Sequence, residues 1–166
     1  EIAYSDYSFE TRSGKIELFS DQAHKKWGIS PLPEYIPVKN QSVNSKYPVN
    51  LVTPNTAGRI HSQFGNMEII KKVTEPPIAE ISLIDAEARN ILTGCKIRIY
   101  NDFGEVITTS RISNRVPKGI LSMPNGIWYN DGGGINQLTA PVLTDIGYGA
   151  AFHDTMVEFE RYDDKI

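Results

Sequence analysis

Lys96-Ile97-Arg98-Ile99-Tyr100-Asn101-Asp102-Phe103-Gly104-Glu105-Val106-Ile107-Thr108-Thr109-Ser110-Arg111-Ile112 is the stretch that decides the fold class. Residues 96–100 alternate charged and apolar side chains, the two-residue period of a half-buried strand. Residues 101–104 have turn composition, with Gly104 free to take a positive φ. Residues 105–112 are rich in β-branched side chains and read as the returning strand. A β-hairpin is therefore expected here. Toward the C-terminus, Pro117-Lys118-Gly119 reads as a turn, Ile120 to Met123 as a short strand before Pro124, and Thr155 to Tyr162 as an alternating last strand.

Toward the N-terminus the signals change. Ser82 to Gly94 is the best helix candidate: Ser82 caps the first amides, Asp85 sits three residues on, and Gly94 stops the helix with a positive φ. Ile84, Ala88, Ile91 and Leu92 would form its apolar face. Pro76-Pro77 marks a break, and Pro48 to Val52 is a short apolar strand. A weaker helix covers Asp21 to Trp27, before Gly28. Pro31, Pro33, Pro37 and Pro48 argue for an extended arm rather than packed helices. The expectation is a mainly β fold, a barrel with short helical insertions, in which residues 1–46 form an extended N-terminal arm leading into a barrel at 47–166.

Composition narrows the function. The 166 residues suffice for one domain, 40% hydrophobic and 22% charged, and the net charge of -3 makes no electrostatic case for nucleic acid. A single cysteine, Cys95, makes no internal disulfide, zinc cluster or iron–sulfur site. No apolar run approaches the ~20 residues of a membrane helix, so direct membrane insertion is not expected. The start, Glu1-Ile2-Ala3-Tyr4-Ser5-Asp6, has no secretory character and fits an excised or mature piece, which leaves the compartment, periplasm or cytoplasm, to a parent chain.

Three segments have the wrong composition for a core. Leu51 to Asn66 runs from the short strand into a loop of hydroxyls, amides, one Arg and one His: Thr53, Pro54, Asn55, Arg59, His61, Ser62 and Gln63. Such donors at a strand end suit a phosphate or a heterocycle, and they equally suit a polar surface loop. Pro124 to Thr139 contains Gly132-Gly133-Gly134, which permits close backbone approach to a ligand, followed by Asn136, Gln137 and Thr139, which can read base or pterin edges. The triplet does not match G-x-G-x-x-G, and no P-loop lysine follows. Thr144 to Thr155 is rich in glycine and small residues that pack beside something flat. The histidines His24, His61 and His153 lack metal-site spacing, and His24 and His153 read as structural or solvated.

These segments together resemble the molybdopterin-dinucleotide-binding, C-terminal domain of the dimethyl-sulfoxide-reductase family of molybdenum oxidoreductases. Phe9-Glu10-Thr11-Arg12-Ser13-Gly14-Lys15-Ile16-Glu17-Leu18-Phe19-Ser20 is similar to the family's T-x-S-G-K-x-E-L-Y-S opening. Trp27-Gly28 and Pro31 to Tyr35 continue it. Tyr47 to Gln63 resembles the first cofactor loop, Leu83 to Tyr100 a helix-then-strand stretch, and Gly134 to Thr139 the G-x-N-x-L-T loop. The resemblance implies a six-stranded double-psi β-barrel that binds molybdopterin guanine dinucleotide. Thr53, Arg59, His61, Ser62 and Gln63 would contact pterin and pyrophosphate, with Arg59 on the phosphates, Pro54 and Asn55 in the same loop, and Asn136, Gln137 and Thr139 near the pterin or guanosine end. It also implies that the metal ligand and any iron–sulfur cluster lie elsewhere in a parent enzyme, so the chain alone would not be catalytic. Other domains of that parent and electron-transfer subunits would be its partners. Cys95 stands where the family usually has an acidic residue and reads as a small buried thiol. The alternative reading is a stand-alone double-psi-barrel interaction module without pterin.

Overall fold

The hairpin forms as read. In the computed structural model, which describes residues 2–35, 46–144 and 147–163, six strands close into a barrel: β1 (Val49–Val52), β2 (Ile78–Ile81), β3 (Lys96–Tyr100), β4 (Glu105–Ile112), β5 (Ile120–Ser122) and β6 (Met156–Arg161). Their order around the barrel is β1-β5-β2-β4-β3-β6. β3 and β4 pair antiparallel, with Lys96 opposite Thr109 and Tyr100 opposite Glu105. β1 with β5 and β2 with β4 pair parallel, so the chain crosses over twice, as the expected double-psi arrangement requires. Alternation along each strand turns Val49, Leu51, Ala79, Ile81, Ile97, Ile99, Leu121, Val157 and Phe159 inward, where all are buried. Each large apolar side chain so removed from water contributes about 1.5–3 kcal/mol against the chain entropy lost. Thr108 and Ser110 of β4 also point inward, and their hydroxyls donate to the carbonyls of Pro77 (2.9 Å) and Leu92 (2.7 Å).

β2 is the strand that no local pattern marks. It has four residues directly after Pro76-Pro77, and it is made by pairing with β4 on one side and β5 on the other. Helix α2 (Glu68–Val73), which follows the first polar segment, is likewise beyond what the sequence predicts.

The helix expected over Ser82 to Gly94 is much shorter, α3 spanning Leu83–Glu87. Ser82 does cap it, accepting from the Asp85 amide at 3.1 Å. The stop comes from Asn90, which takes φ 54° and lets the Ile91 amide reach back to the Ala86 carbonyl. Its apolar face is not the expected one either. Ile84, Ala88 and Leu92 are exposed, while Asp85, Ala86 and Ile91 are buried. Asp85 stays inside because its carboxylate accepts from the Ser82 hydroxyl (2.7 Å) and the Gly119 amide (2.7 Å) and faces Arg89, which in turn pairs with Glu158. Cys95, in the turn after Gly94, is half-buried rather than buried. Gly104 is absent from the positive-φ positions, so the reason for a glycine there is not the turn's conformation.

The chain divides into two compact units, residues 1–37 and 38–166. The first contains α1 (Asp21–Trp27), which matches its expected range, with the Ser20 hydroxyl accepting from the Ala23 amide and Gly28 closing it at φ 68°. Its described residues are otherwise turns and bends, and the remainder of the expected arm, residues 36–45, lies outside the described residues.

Candidate functional site

Topology alone gathers the three polar segments. Because β1 and β5 run parallel with Val52 opposite Ser122, the loops that leave them, 53–67 and 123–139, emerge side by side. β6 runs antiparallel to β1, so the segment that feeds it arrives at the same end; the Leu51 amide donates to the Thr155 carbonyl at 2.9 Å.

Asn125 joins the first two loops. Its side-chain amide donates to the Thr53 carbonyl (3.1 Å) and to Asn55 Oδ1 (2.8 Å), and its backbone amide donates to the Pro54 carbonyl (3.1 Å). Its carbonyl accepts from Arg59 Nη2 at 2.6 Å. Trp128 Nε1 donates to the Ser62 carbonyl at 2.7 Å. Gly126 (φ 73°) is pressed against the backbone of His61, whose carbonyl carbon would lie 2.4 Å from any Cβ placed there. His61 itself holds φ 48°, uncommon for a side-chain-bearing residue. The triplet Gly132-Gly133-Gly134 is crowded by the protein's own chain: a Cβ on Gly133 would stand 2.0 Å from the Ile127 carbonyl oxygen.

Between the loops lies a cleft of about 620 Å³. Thr53, His61, Ser62, Asn136, Gln137 and Thr139, six of the residues singled out from sequence, line it together. Trp128, Tyr129 and Phe152 add aromatic surface that single-residue reasoning did not nominate; the run Ile127-Trp128-Tyr129 inside an otherwise polar, glycine-rich loop was the available signal. Asn136 and Gln137 sit on a 3-10 turn, Ile135–Leu138, whose two apolar residues are buried and whose two amides are exposed. Flat aromatic walls with neutral donors and acceptors suit a planar heterocycle.

The other nominated residues lie apart. Arg59 lines an adjoining cleft of about 240 Å³, which shares Ile127 and Trp128 with the first. Its guanidinium is half-buried, and burial lowers its pKa by penalising the charge. Its Nε is buried without a hydrogen-bond partner, and among the described residues no carboxylate pairs with it. Glu75 and Asp131 line the same cleft but pair with Arg111 and Lys71, which leaves Arg59 without an ion-pair partner of its own and suited to an anion. Pro54 lines a third hollow with His153, Asn55 is engaged by Asn125, and Gln63 is exposed outside the wall of the main cleft. His24 bonds the Ile29 carbonyl through Nδ1 at 2.8 Å. Among the described residues no group of three or more His, Cys, Asp or Glu side chains is placed to hold a metal ion, and no helix is long and apolar enough to cross a membrane.

A small closed barrel that presents a polar, aromatic-walled cleft beside an arginine with no ion-pair partner among the described residues has the form of a ligand-binding domain. Residues 49–156 match the family described as the molydopterin dinucleotide binding domain, and the chain belongs to that family. It is 31% identical to the dimethyl sulfoxide reductase DmsA of Haemophilus influenzae over 97% of this chain and 23% of that protein. It is 31% identical to DmsA of Escherichia coli over 91% and 21%, and 32% identical to the probable oxidoreductase YoaE of Bacillus subtilis over 91% and 22%. The acetylene hydratase of Pelobacter acetylenicus shares the fold, with a TM-score of 0.76 at 18% identity over 97% of this chain and 25% of that one. The chain thus spans less than a quarter of the length of these curated relatives. It is a molybdopterin-dinucleotide-binding domain of the dimethyl-sulfoxide-reductase family, with the expected barrel fold.

Proposed function

We propose that the cleft between residues 53–62 and 128–139 holds one molybdopterin guanine dinucleotide. Thr53, His61, Ser62, Asn136, Gln137 and Thr139 supply hydrogen bonds to its heterocyclic edges, and Arg59 meets its phosphates. The observation that carries this reading is the convergence of those six side chains on one aromatic-walled cleft, with the orphaned Nε of Arg59 next to it. When bound, the group would supply a molybdenum or tungsten centre held by dithiolenes. This chain's residues bind and orient it, and the neutral amides avoid repelling an anionic ligand. The planar guanidinium of Arg59 would offer the phosphates paired donors that a lysine lacks.

The protein that carries this domain would be a molybdenum oxidoreductase acting on small oxidised substrates of the sulfoxide or N-oxide kind that name its relatives. Its other domains would complete the site and electron-transfer subunits would serve it. Asn136→Asp tests the site: it loses a donor and places a charge against an anion. Molybdenum and GMP content of the full-length enzyme should fall several-fold, while the thermal midpoint of its cofactor-free form stays within a few degrees. Unchanged content removes Asn136 from the site. Arg59→Ala should lower cofactor retention by roughly one to two decades, with partial recovery in Arg59→Lys; wild-type retention in Arg59→Ala would defeat the phosphate assignment.

A further inference from the structure

The turn between β3 and β4 touches the cofactor-facing loop from behind. Asn101 Nδ2 donates to the Leu138 carbonyl at 2.7 Å and to the Met156 carbonyl at 3.1 Å. Its Oδ1 accepts from the amides of Phe103 (2.9 Å) and Gly104 (3.3 Å). Every donor of this side chain is used, and the pattern allows one orientation only: reversed, the NH2 would face two N–H groups and the oxygen two carbonyls. Leu138 ends the 3-10 turn that carries Asn136 and Gln137, so its carbonyl has no partner within that turn's own hydrogen bonds. Asn101 satisfies it and ties the same point to the start of β6.

Gly104 acts at the same place by a different means. Its φ is not positive, yet a Cβ there would lie 2.8 Å from the Gln137 carbonyl oxygen and 3.2 Å from Gln137 Cβ. The missing side chain is therefore what lets the hairpin lie flat against the backbone of the 3-10 turn. The same turn carries Asn136 and Gln137, both of which line the cleft.

We propose that Asn101 and Gly104 are positioning residues for the cofactor: the β3–β4 turn sets how far Asn136 and Gln137 project into the cleft. The inference rests on the reading of those two amides as cofactor-facing. Asparagine is required at 101 because an aspartate would set a carboxylate against two carbonyl oxygens while keeping the turn's own bonds to Phe103 and Gly104. Glycine is required at 104 because any Cβ displaces Gln137.

The test is a double-mutant comparison in the full-length enzyme that carries this domain, following loss of molybdenum and GMP from the purified protein with time. Asn136→Ala/Gln137→Ala removes the amides. In the wild-type background Asn101→Asp and Gly104→Ala should each speed cofactor release about tenfold, the equivalent of one lost hydrogen bond. In the Asn136→Ala/Gln137→Ala background each should change release by less than about twofold, because nothing is left to misplace. Equal acceleration in both backgrounds means that the turn acts through barrel stability and overturns the proposal, as does wild-type release in the single variants. If the double alanine variant itself retains cofactor normally, the cofactor-facing reading falls and this inference with it. If that variant loses cofactor and the turn variants do not, this inference alone falls. Should Asn101→Asp fail to fold, Gly104→Ala decides, since it removes no hydrogen bond.

Discussion

Two glycines with nearly the same φ separate conformational need from contact. Gly119 has φ 80° and nothing within 4 Å of the point where a Cβ would stand, whereas Gly126 has φ 73° and the His61 backbone at 2.4–2.8 Å from that point. Alanine at either position meets left-handed strain of about 1 kcal/mol. At Gly126 it must also push two site loops apart, which adds about 1–3 kcal/mol as overpacking does elsewhere. Denaturant titration of the two variants should therefore rank Gly126→Ala well below Gly119→Ala; equal midpoints would show that the loops do not touch at His61. Both residues look like turn formers in the sequence, which offers no sign of which one has a neighbour. Arg59 teaches the same lesson. Its chemistry, a planar cation, was legible, but its bond to the Asn125 carbonyl, 66 positions away, was not.

At the level of elements, α3 shows how a short helix is held by a buried acid beside a single buried apolar residue, Ala86. Asp85 links α3 to the turn before β5 through the Gly119 amide, and faces Arg89, which stacks over Phe159 of β6 at 4.3 Å and pairs with Glu158. Asp85→Ala would strand the Gly119 amide and the Ser82 hydroxyl and unbalance Arg89, at a cost of about 2–4 kcal/mol. Asp85→Asn keeps the acceptor oxygen and should cost roughly half as much. Thermal unfolding of both variants measures this, and a loss from Asp85→Ala below about 0.5 kcal/mol, the size of an ordinary surface change, would refute the role. A capped helix start was readable from Ser82 and Asp85. Its length was not, because the Asn90 stop depends on a left-handed conformation that no local propensity announced.

Taken as a whole, the barrel brings together the residues proposed to hold a cofactor, and the chain spans less than a quarter of the length of its curated relatives. As so small a part of such proteins, the isolated 166-residue chain is expected not to turn over a reducible substrate when supplied with a chemical electron donor, even at high protein concentration. Turnover by the purified chain would contradict the assignment of its role as binding rather than catalysis.

Amino-acid order alone was enough for the class of fold, the hairpin of β3 and β4, the limits of α1 and the polar character of the three loops. Those features follow from periods of two residues, from capping side chains and from local composition, all expressed within about ten residues. Long-range contacts settled the rest: that β2 exists, that Asp85 rather than Ile84 faces inward, and that six of the nominated side chains share a cleft while Arg59 lies in the next one. They also explain why Gly104 is a glycine: the reason is Gln137. Parallel pairing of β1 with β5 joins strands about 70 positions apart, and contacts at such separation are set by barrel closure, which no local pattern encodes.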